Sequence, residues 1–293
     1  MQNIRPENWF VLAHSHELKK MPLARKVLGM PVVLFRDAEG KAHALRDLCP
    51  HKQLPLSLGS VSGSHLRCHY HGWTFSAAGK LTQIPSAPGD KLPTCQVRSF
   101  PLVEQDQWLW IYPGRGVPRE PPPSYPRDSC TTWFELQNVM RAPFELILEN
   151  GFDCAHTGFV HRGWYRGGPR EWVQVRMEQT ATGVQADTLE KKGAGKQQDF
   201  KRFLTGKGEV FHRDELILPH TLRVEYEVQG SGRKLTTLLV CTPEDGEHTR
   251  CFTRMGLSFA WMTYFILPVL KAVTKRIVAQ DKNQVQQSAV AGA

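Results

Sequence analysis

The sequence opens without a secretory leader: MQNIRPENWF contains no basic segment followed by an apolar run. No run of five or more basic residues occurs and no nucleic-acid motif is present, so the formal charge of +9 is spread along the chain. That distribution argues against nucleic acid as a partner and leaves two readings of the basic excess, an acidic protein partner or a solvated surface. Disulfide patterning is missing as well. The seven cysteines, Cys49, Cys68, Cys95, Cys130, Cys154, Cys241 and Cys251, are odd in number and far apart, which fits a reducing, cytoplasmic setting. There is no internal repeat and no low-complexity tract. An uninterrupted membrane-length run is also lacking. The most apolar stretch, Met255–Val273, is broken by Pro268 and Lys271, and reads as a buried or surface-seeking helix, with no membrane span.

What is present is an ordinary globular balance, 41% hydrophobic and 22% charged over 293 residues, enough for two modest domains. The prolines of Val117–Pro126, VPREPPPSYP, suit neither sheet nor helix interior and mark a stiff linker. They divide residues 1–116 from residues 127–293. The first part reads as β-rich, with strands at Val32–Phe35 and Trp108–Tyr112 and frequent Gly, Pro, Asp and Ser between. The second opens with a strand at Thr131–Val139. A helix follows at Pro143–Asn150, with Pro143 suiting its first turn and Gly151 its break. Alternation at Leu222, Val224, Tyr226 and Val228 and the apolar run Leu235–Cys241 give further strands, and a helix from Leu270 to Val290 closes the chain. Strands followed by a terminal helix predict an α+β fold.

Two short segments carry metal chemistry. Cys49-Pro50-His51 is followed, after 16 residues, by Cys68-His69-Tyr70-His71-Gly72-Trp73. Each half offers one thiolate and one imidazole. Four such ligands would satisfy zinc, but zinc fingers usually separate the cysteines from the histidines into different halves. Mixed halves suit two irons, with both thiolates on one and both imidazoles on the other, the Rieske arrangement. Pro50 and Gly72 allow tight loops and Trp73 can shield the site. His43, His65 and His69 fall outside the paired spacing and read as surface or supporting residues.

A second constellation, Asn150-x-x-Asp153-x-x-His156-x-x-x-x-His161, brings two imidazoles and a carboxylate together. On a helix Asp153 and His156 would share a face, whereas His156 and His161 need a π-bulge or a break near Gly158 to converge. Two imidazoles and one carboxylate form the facial triad of non-haem Fe(II) oxygenases. The carboxylate is either Asp153 or one from elsewhere. Asp281 is a candidate, since it lies on the apolar stripe Ile277, Val278, Val285 of the last helix, where a carboxylate is costly unless paired or bound to metal. A helix-end ion pair explains it equally well. Phe152, Phe159, Trp164 and Tyr165, near this motif, either line an apolar pocket or belong to the core.

CPHKQLPLSLG (Cys49–Gly59) with CHYHGW (Cys68–Trp73) is similar to the cluster motif of Rieske non-haem iron oxygenase α subunits. NGFDCAHTGFVH (Asn150–His161) resembles their mononuclear-iron motif, and AQDKNQVQQS (Ala279–Ser288) the segment holding their third ligand. Lys52 stands where many relatives have Arg, and Cys154 sits inside the iron motif. The resemblance implies a Rieske domain followed by a helix-grip catalytic domain. It implies a [2Fe–2S] cluster on Cys49, His51, Cys68 and His71, and Fe(II) on His156, His161 and Asp281. Asp153 would then bridge a cluster histidine of one subunit to an iron histidine of the next, in a homotrimer. The chain looks closest to the α-only branch of demethylating and ring-modifying monooxygenases. Such an enzyme takes electrons from a ferredoxin or flavin reductase, ultimately NAD(P)H, and uses O2 to oxidise a small organic, aromatic or cyclic substrate. Competing readings are a Rieske ferredoxin-type carrier without a substrate, which residues 127–293 argue against, and a zinc-stabilised binding module.

Overall fold

A computed structural model describes residues 4–87, 92–125, 127, 130, 132–153, 156–161, 175–190, 210–259 and 263–291. Cys154, Trp164 and Tyr165 lie outside the described residues. The chain divides into two compact units, Met1–Pro126 with Thr242–Gly246, and Arg127–Cys241 with Glu247–Ala293.

The first unit is built from short antiparallel strands. β1 (Phe10–His14), β10 (Leu102–Gln105) and β11 (Trp108–Ile111) form one sheet. β2 (Leu23–Val27), β3 (Met30–Arg36), β4 (Ala42–Arg46) and β9 (Ser99–Phe100) form a second. β5 (Ser60–Ser62), β6 (His65–Arg67), β7 (Thr74–Ser76) and β8 (Leu81–Gln83) form a third. The apolar strands predicted near Val32 and Trp108 fall in β3 and β11, whose central residues are fully buried. One core cluster joins Val33, Phe35, Leu45, Leu56, Leu66 and Phe75 to the buried Cys49 and Cys68. The proline-rich segment is tied to this unit: Trp9 Nε1 donates to the Glu120 carbonyl (2.8 Å) and Gln105 Nε2 to the Pro123 carbonyl (3.1 Å).

The second unit is a seven-stranded sheet in the order β12 (Thr132–Met140), β18 (Thr249–Ser258), β17 (Arg233–Pro243), β16 (Thr221–Val228), β15 (Val210–Ile217), β14 (Gly183–Glu190), β13 (Val175–Gln179). Among the described residues three helices accompany it: α1 (Phe144–Phe152), α2 (Thr157–Val160) and α3 (Thr263–Ala291). The anticipated alternation in β16 sets Leu222, Tyr226 and Val228 inward, where Tyr226 and Val228 join Phe134, Leu235, Met255 and Leu270 in one core. The α+β class is as expected, with strands first and the long helix last.

Two boundaries differ from the sequence reading. Met255–Val273 is not one helix. Its first four residues end β18, where Met255 and Leu257 are buried, and α3 starts at Thr263, seven residues before the predicted start at Leu270. A fully buried strand and a buried helix both read as continuous apolar sequence, so periodicity joined them. Among the described residues no helix is long and apolar enough to cross a membrane. Gly151 does not break α1, which runs through it to Phe152. A Cβ there would lie 2.5 Å from Leu222 Cδ2, so the missing side chain allows α1 to approach β16 closely.

Candidate metal centres

In the first unit, the loop after β4 carries Cys49 and His51, and the β6–β7 turn carries Cys68 and His71. Both loops are tight. Gln53 N donates back to the Cys49 carbonyl (2.7 Å), and Gly72 N to that of Cys68 (3.1 Å). Gly72 has φ +69°, and a Cβ on it would meet the Pro85 ring at 2.8 Å, so glycine is required there. Asp47 braces the first loop by accepting from Ser57 N (2.7 Å) and Ser57 Oγ (2.6 Å).

Like ligands lie together. Burial pushes the Cys49 thiol up to about 11, and its hydrogen-bonded neighbour Cys68 reinforces the shift. The His51 and His71 rings face edge-on with centroids 4.6 Å apart. Trp73 stacks on His51, 4.7 Å between centroids and 1° between planes. The cysteines are buried while both imidazoles are exposed, so the nitrogen side faces solvent. A buried thiol such as Cys49, which resists ionisation on its own, is suited to a ligand whose charge a metal neutralises. This donor set, two sulfurs together and two nitrogens together, fits a two-iron cluster. His43 is occupied elsewhere, 2.6 Å from Asp37 Oδ2, and His69 is exposed.

In the second unit, α1 ends at Phe152 with Asp153 as its cap. His156 and His161 flank the single turn of α2, one at each end. The break therefore precedes His156 and does not fall at Gly158. Their rings meet edge-on with centroids 5.3 Å apart. Asp281 reaches them from α3, its Oδ1 2.9 Å from His161 Nε2 and 3.5 Å from His156 Nε2. Ligating atoms of all three lie within 4.8 Å of one another. Each imidazole is oriented through its other nitrogen: His156 Nδ1 donates to the Asp153 carbonyl and His161 Nδ1 to Gln280 Oε1 (3.0 Å). Burial opposes the ionised form of Asp281, but the two histidines outweigh it and hold the carboxyl down at about 2. Burial likewise lowers His156, and its bonds to Asp281 and the Asp153 carbonyl more than reverse this, leaving it raised. Two oriented Nε2 atoms and one ionised oxygen on a shared point fit an open facial iron site. Asp153 is exposed, its backbone carbonyl accepts from His156, and its charge helps to raise His156.

Residues 8–101 match the Rieske [2Fe-2S] domain, and residues 140–289, just over half the chain, match the vanillate O-demethylase oxygenase C-terminal domain. The chain belongs to the Rieske oxygenases. It is 33% identical to the 4beta-methylsterol monooxygenase of Methylococcus capsulatus over 83% of this chain and 66% of that protein. It is 29% identical to the chlorophyllide a oxygenase of Chlamydomonas reinhardtii over 93% and 41%. Against the dicamba O-demethylase oxygenase component of Stenotrophomonas maltophilia it is 35% identical over 53% and 47%. The chain thus spans from 41 to 66% of the length of these relatives. Dicamba monooxygenase bound to 3,6-dichlorosalicylic acid shares the fold, with TM-score 0.86 at 24% identity over 97% of this chain and 87% of that one. NdmA of Pseudomonas putida CBB5 with caffeine shares it too, at TM-score 0.78 and 22% identity over 96% and 82%.

In this Rieske oxygenase the triad opens onto a cavity whose wall also includes Met140, Ile147, Leu222, Val224, Leu239 and Met255. Phe152 and Phe159 are absent from that wall, and Phe159 is 68% exposed, so neither pocket nor core describes it. Four polar residues escaped the sequence reading. Gln280, beside the proposed ligand Asp281, carried no signal of its own. Asn150, whose Nδ2 donates to Asp281 Oδ1 (3.3 Å), stood in the quoted motif without a role. His212 and Asp214 also line the cavity, and their i, i+2 spacing on a strand was the available clue.

Proposed function

We propose that the chain is the terminal oxygenase component of a multi-protein system that hydroxylates or demethylates a cyclic, largely apolar organic molecule with O2. The observation that carries this reading is the convergence of His156, His161 and Asp281 on the wall of a mainly apolar cavity, in a chain that also pairs Cys49 with Cys68 and His51 with His71.

When bound, a [2Fe–2S] cluster and a ferrous ion supply single electrons and a centre for dioxygen activation. Cys49 and Cys68 would hold one cluster iron, and His51 and His71 the other. The exposed imidazoles then present the side on which an electron donor can dock, a ferredoxin or flavin reductase drawing on NAD(P)H. His156, His161 and Asp281 would hold the ferrous ion, with Gln280 and the Asp153 carbonyl fixing the rings. Aliphatic side chains exclude water and orient the substrate. Asp153, exposed and one hydrogen bond from the His156 ring, suits a bridge to a cluster histidine of a neighbouring subunit, which requires a closed ring such as a homotrimer. Free cysteines throughout the described residues suit a reducing cytoplasm. A ferredoxin-type carrier has no use for the second unit and is not favoured.

The test is composition and oxygen consumption on one anaerobic preparation. Three irons and two sulfides per chain, a Rieske EPR signal after reduction, and substrate-dependent O2 uptake with a reductase are expected. Zinc without sulfide, or two irons only, would rule the reading out.

A further inference from the structure

Besides the triad, the cavity wall carries a second polar pair. His212 and Asp214 point to the same face of β15, with Nε2 and Oδ1 3.0 Å apart and side-chain exposures of 2% and 4%. Tyr226 on β16 stacks on His212, 4.2 Å between centroids and 9° between planes. Register sets Thr188 of β14 directly across from His212, and Val224 of β16 across from Asp214. Thr188 is 1% exposed and its hydroxyl has no hydrogen-bond partner among the described residues. His212, Asp214 and Tyr226 line the same cavity as the iron trio, amid Leu222, Val224 and Leu239.

A buried polar pair is costly to desolvate, and a well-packed apolar pair in its place is often neutral or better for folding, so its presence here asks for a role beyond holding the sheet. Its chemistry is specific: Nε2 of His212 occupies Asp214 Oδ1, and Asp214 Oδ2 makes no hydrogen bond among the described residues. A carboxylate oxygen only accepts, so it asks for a donor. The described wall holds no Lys or Arg to pair with an anionic group. At the Asp214 oxygen a carboxylate would set acceptor against acceptor. A ketone would bring no donor. A hydroxyl brings one, and the rest of its molecule would lie against aliphatic side chains.

We propose that Asp214, held by His212, is the specificity-determining anchor of the cavity, and that it selects an uncharged, mainly apolar alcohol by accepting a hydrogen bond from its hydroxyl. This rests on the oxygenase reading above and narrows its substrate class.

The test is calorimetric binding to the anaerobic holoenzyme of four probes on one carbon frame: 2-tetralol, 2-tetralone, tetralin and 1,2,3,4-tetrahydro-2-naphthoate. Wild type should bind the alcohol roughly tenfold more tightly than the ketone or hydrocarbon, as one discriminating hydrogen bond to a charged group allows, and the carboxylate most weakly. In D214L the alcohol's advantage should vanish. In D214N, nearly the same shape, it should shrink while carboxylate binding strengthens. Carboxylate binding at or above the alcohol's, no alcohol binding at all, or an undiminished advantage in both variants would overturn the proposal. The wild-type ranking decides alone if the variants do not fold. Iron and sulfide counts on the same samples separate failure of the anchor from failure of the oxygenase reading.

Discussion

At the scale of single residues, the metal trio is set by what stands behind it. Gln280 Oε1 accepts from His161 Nδ1, which leaves Nε2 as the nitrogen facing Asp281. Gln280→Leu keeps the bulk and removes the acceptor. Losing such an outer partner typically weakens metal affinity about 10–100-fold, so the variant should lose mononuclear iron on dialysis against a mild chelator and keep its Rieske spectrum. Iron retained at the wild-type level would show that packing alone orients His161. Protonation gives a second handle. Asp281, held down at about 2, is ionised at neutral pH, whereas His156 is raised and must lose its proton to bind metal. In the apoprotein the His156–Asp281 pair adds stability below the ordinary histidine pKa, and that contribution fades as pH rises through the raised value. Metal affinity runs the other way. Anaerobic Co(II) titration should show binding tightening with pH through neutrality, approaching about tenfold per unit for release of one proton. A flat profile would contradict the His156 assignment.

At the scale of elements, α1 and β16 share a contact that reaches the cavity. Gly151 faces Leu222, which is buried and lines the cavity wall. Gly151→Ala should displace the end of that side chain at a cost of about 1–3 kcal/mol for overpacking. The expected readout is a lowered melting temperature with a KM raised several-fold and iron content unchanged. An unaltered KM would mean that Leu222 yields away from the cavity. This contact also shows what sequence can and cannot carry. Strands β3, β11, β12, β16 and β17 were legible because their apolar residues cluster or alternate at strand period. The Cys49–His51 and Cys68–His71 pairs were legible because ligand types at fixed spacing are chemistry written locally. Gly151 read as a helix end because glycine commonly ends helices, and its actual reason, a side chain 71 positions away, is not local information. Gln280 and Asp47 were missed for the same reason, since each acquires its role only when another segment is brought against it, whereas the His212–Asp214 pair left a local i, i+2 clue on one strand. Asp281 sat between the two cases, since the stripe exposed the anomaly of a buried carboxylate but not which histidines it would meet.

At the scale of the whole molecule, the two proposed metal centres belong to different compact units. A substitution in one should therefore leave the ligands of the other intact, which makes Asp153 a decisive position. Its carbonyl already serves His156 through a backbone contact that no side-chain change removes. Its carboxylate is exposed and is not one of the three converging ligand groups, so its proposed task lies outward, toward a cluster histidine of a neighbouring copy. Asp153→Asn preserves size and the backbone bond but removes the charge that would hydrogen-bond an imidazole N–H and steady its orientation. Both metals should remain at wild-type occupancy and the cluster should still be reduced by its donor. Single-turnover reoxidation of the cluster in the presence of substrate and O2 should slow by orders of magnitude, and steady-state turnover should collapse with it. Loss of mononuclear iron in this variant would make Asp153 a ligand and displace Asp281 from that role. Full turnover with a monomeric protein at assay concentration would eliminate the bridge altogether, because a carboxylate that hands electrons between subunits has no function in a single chain.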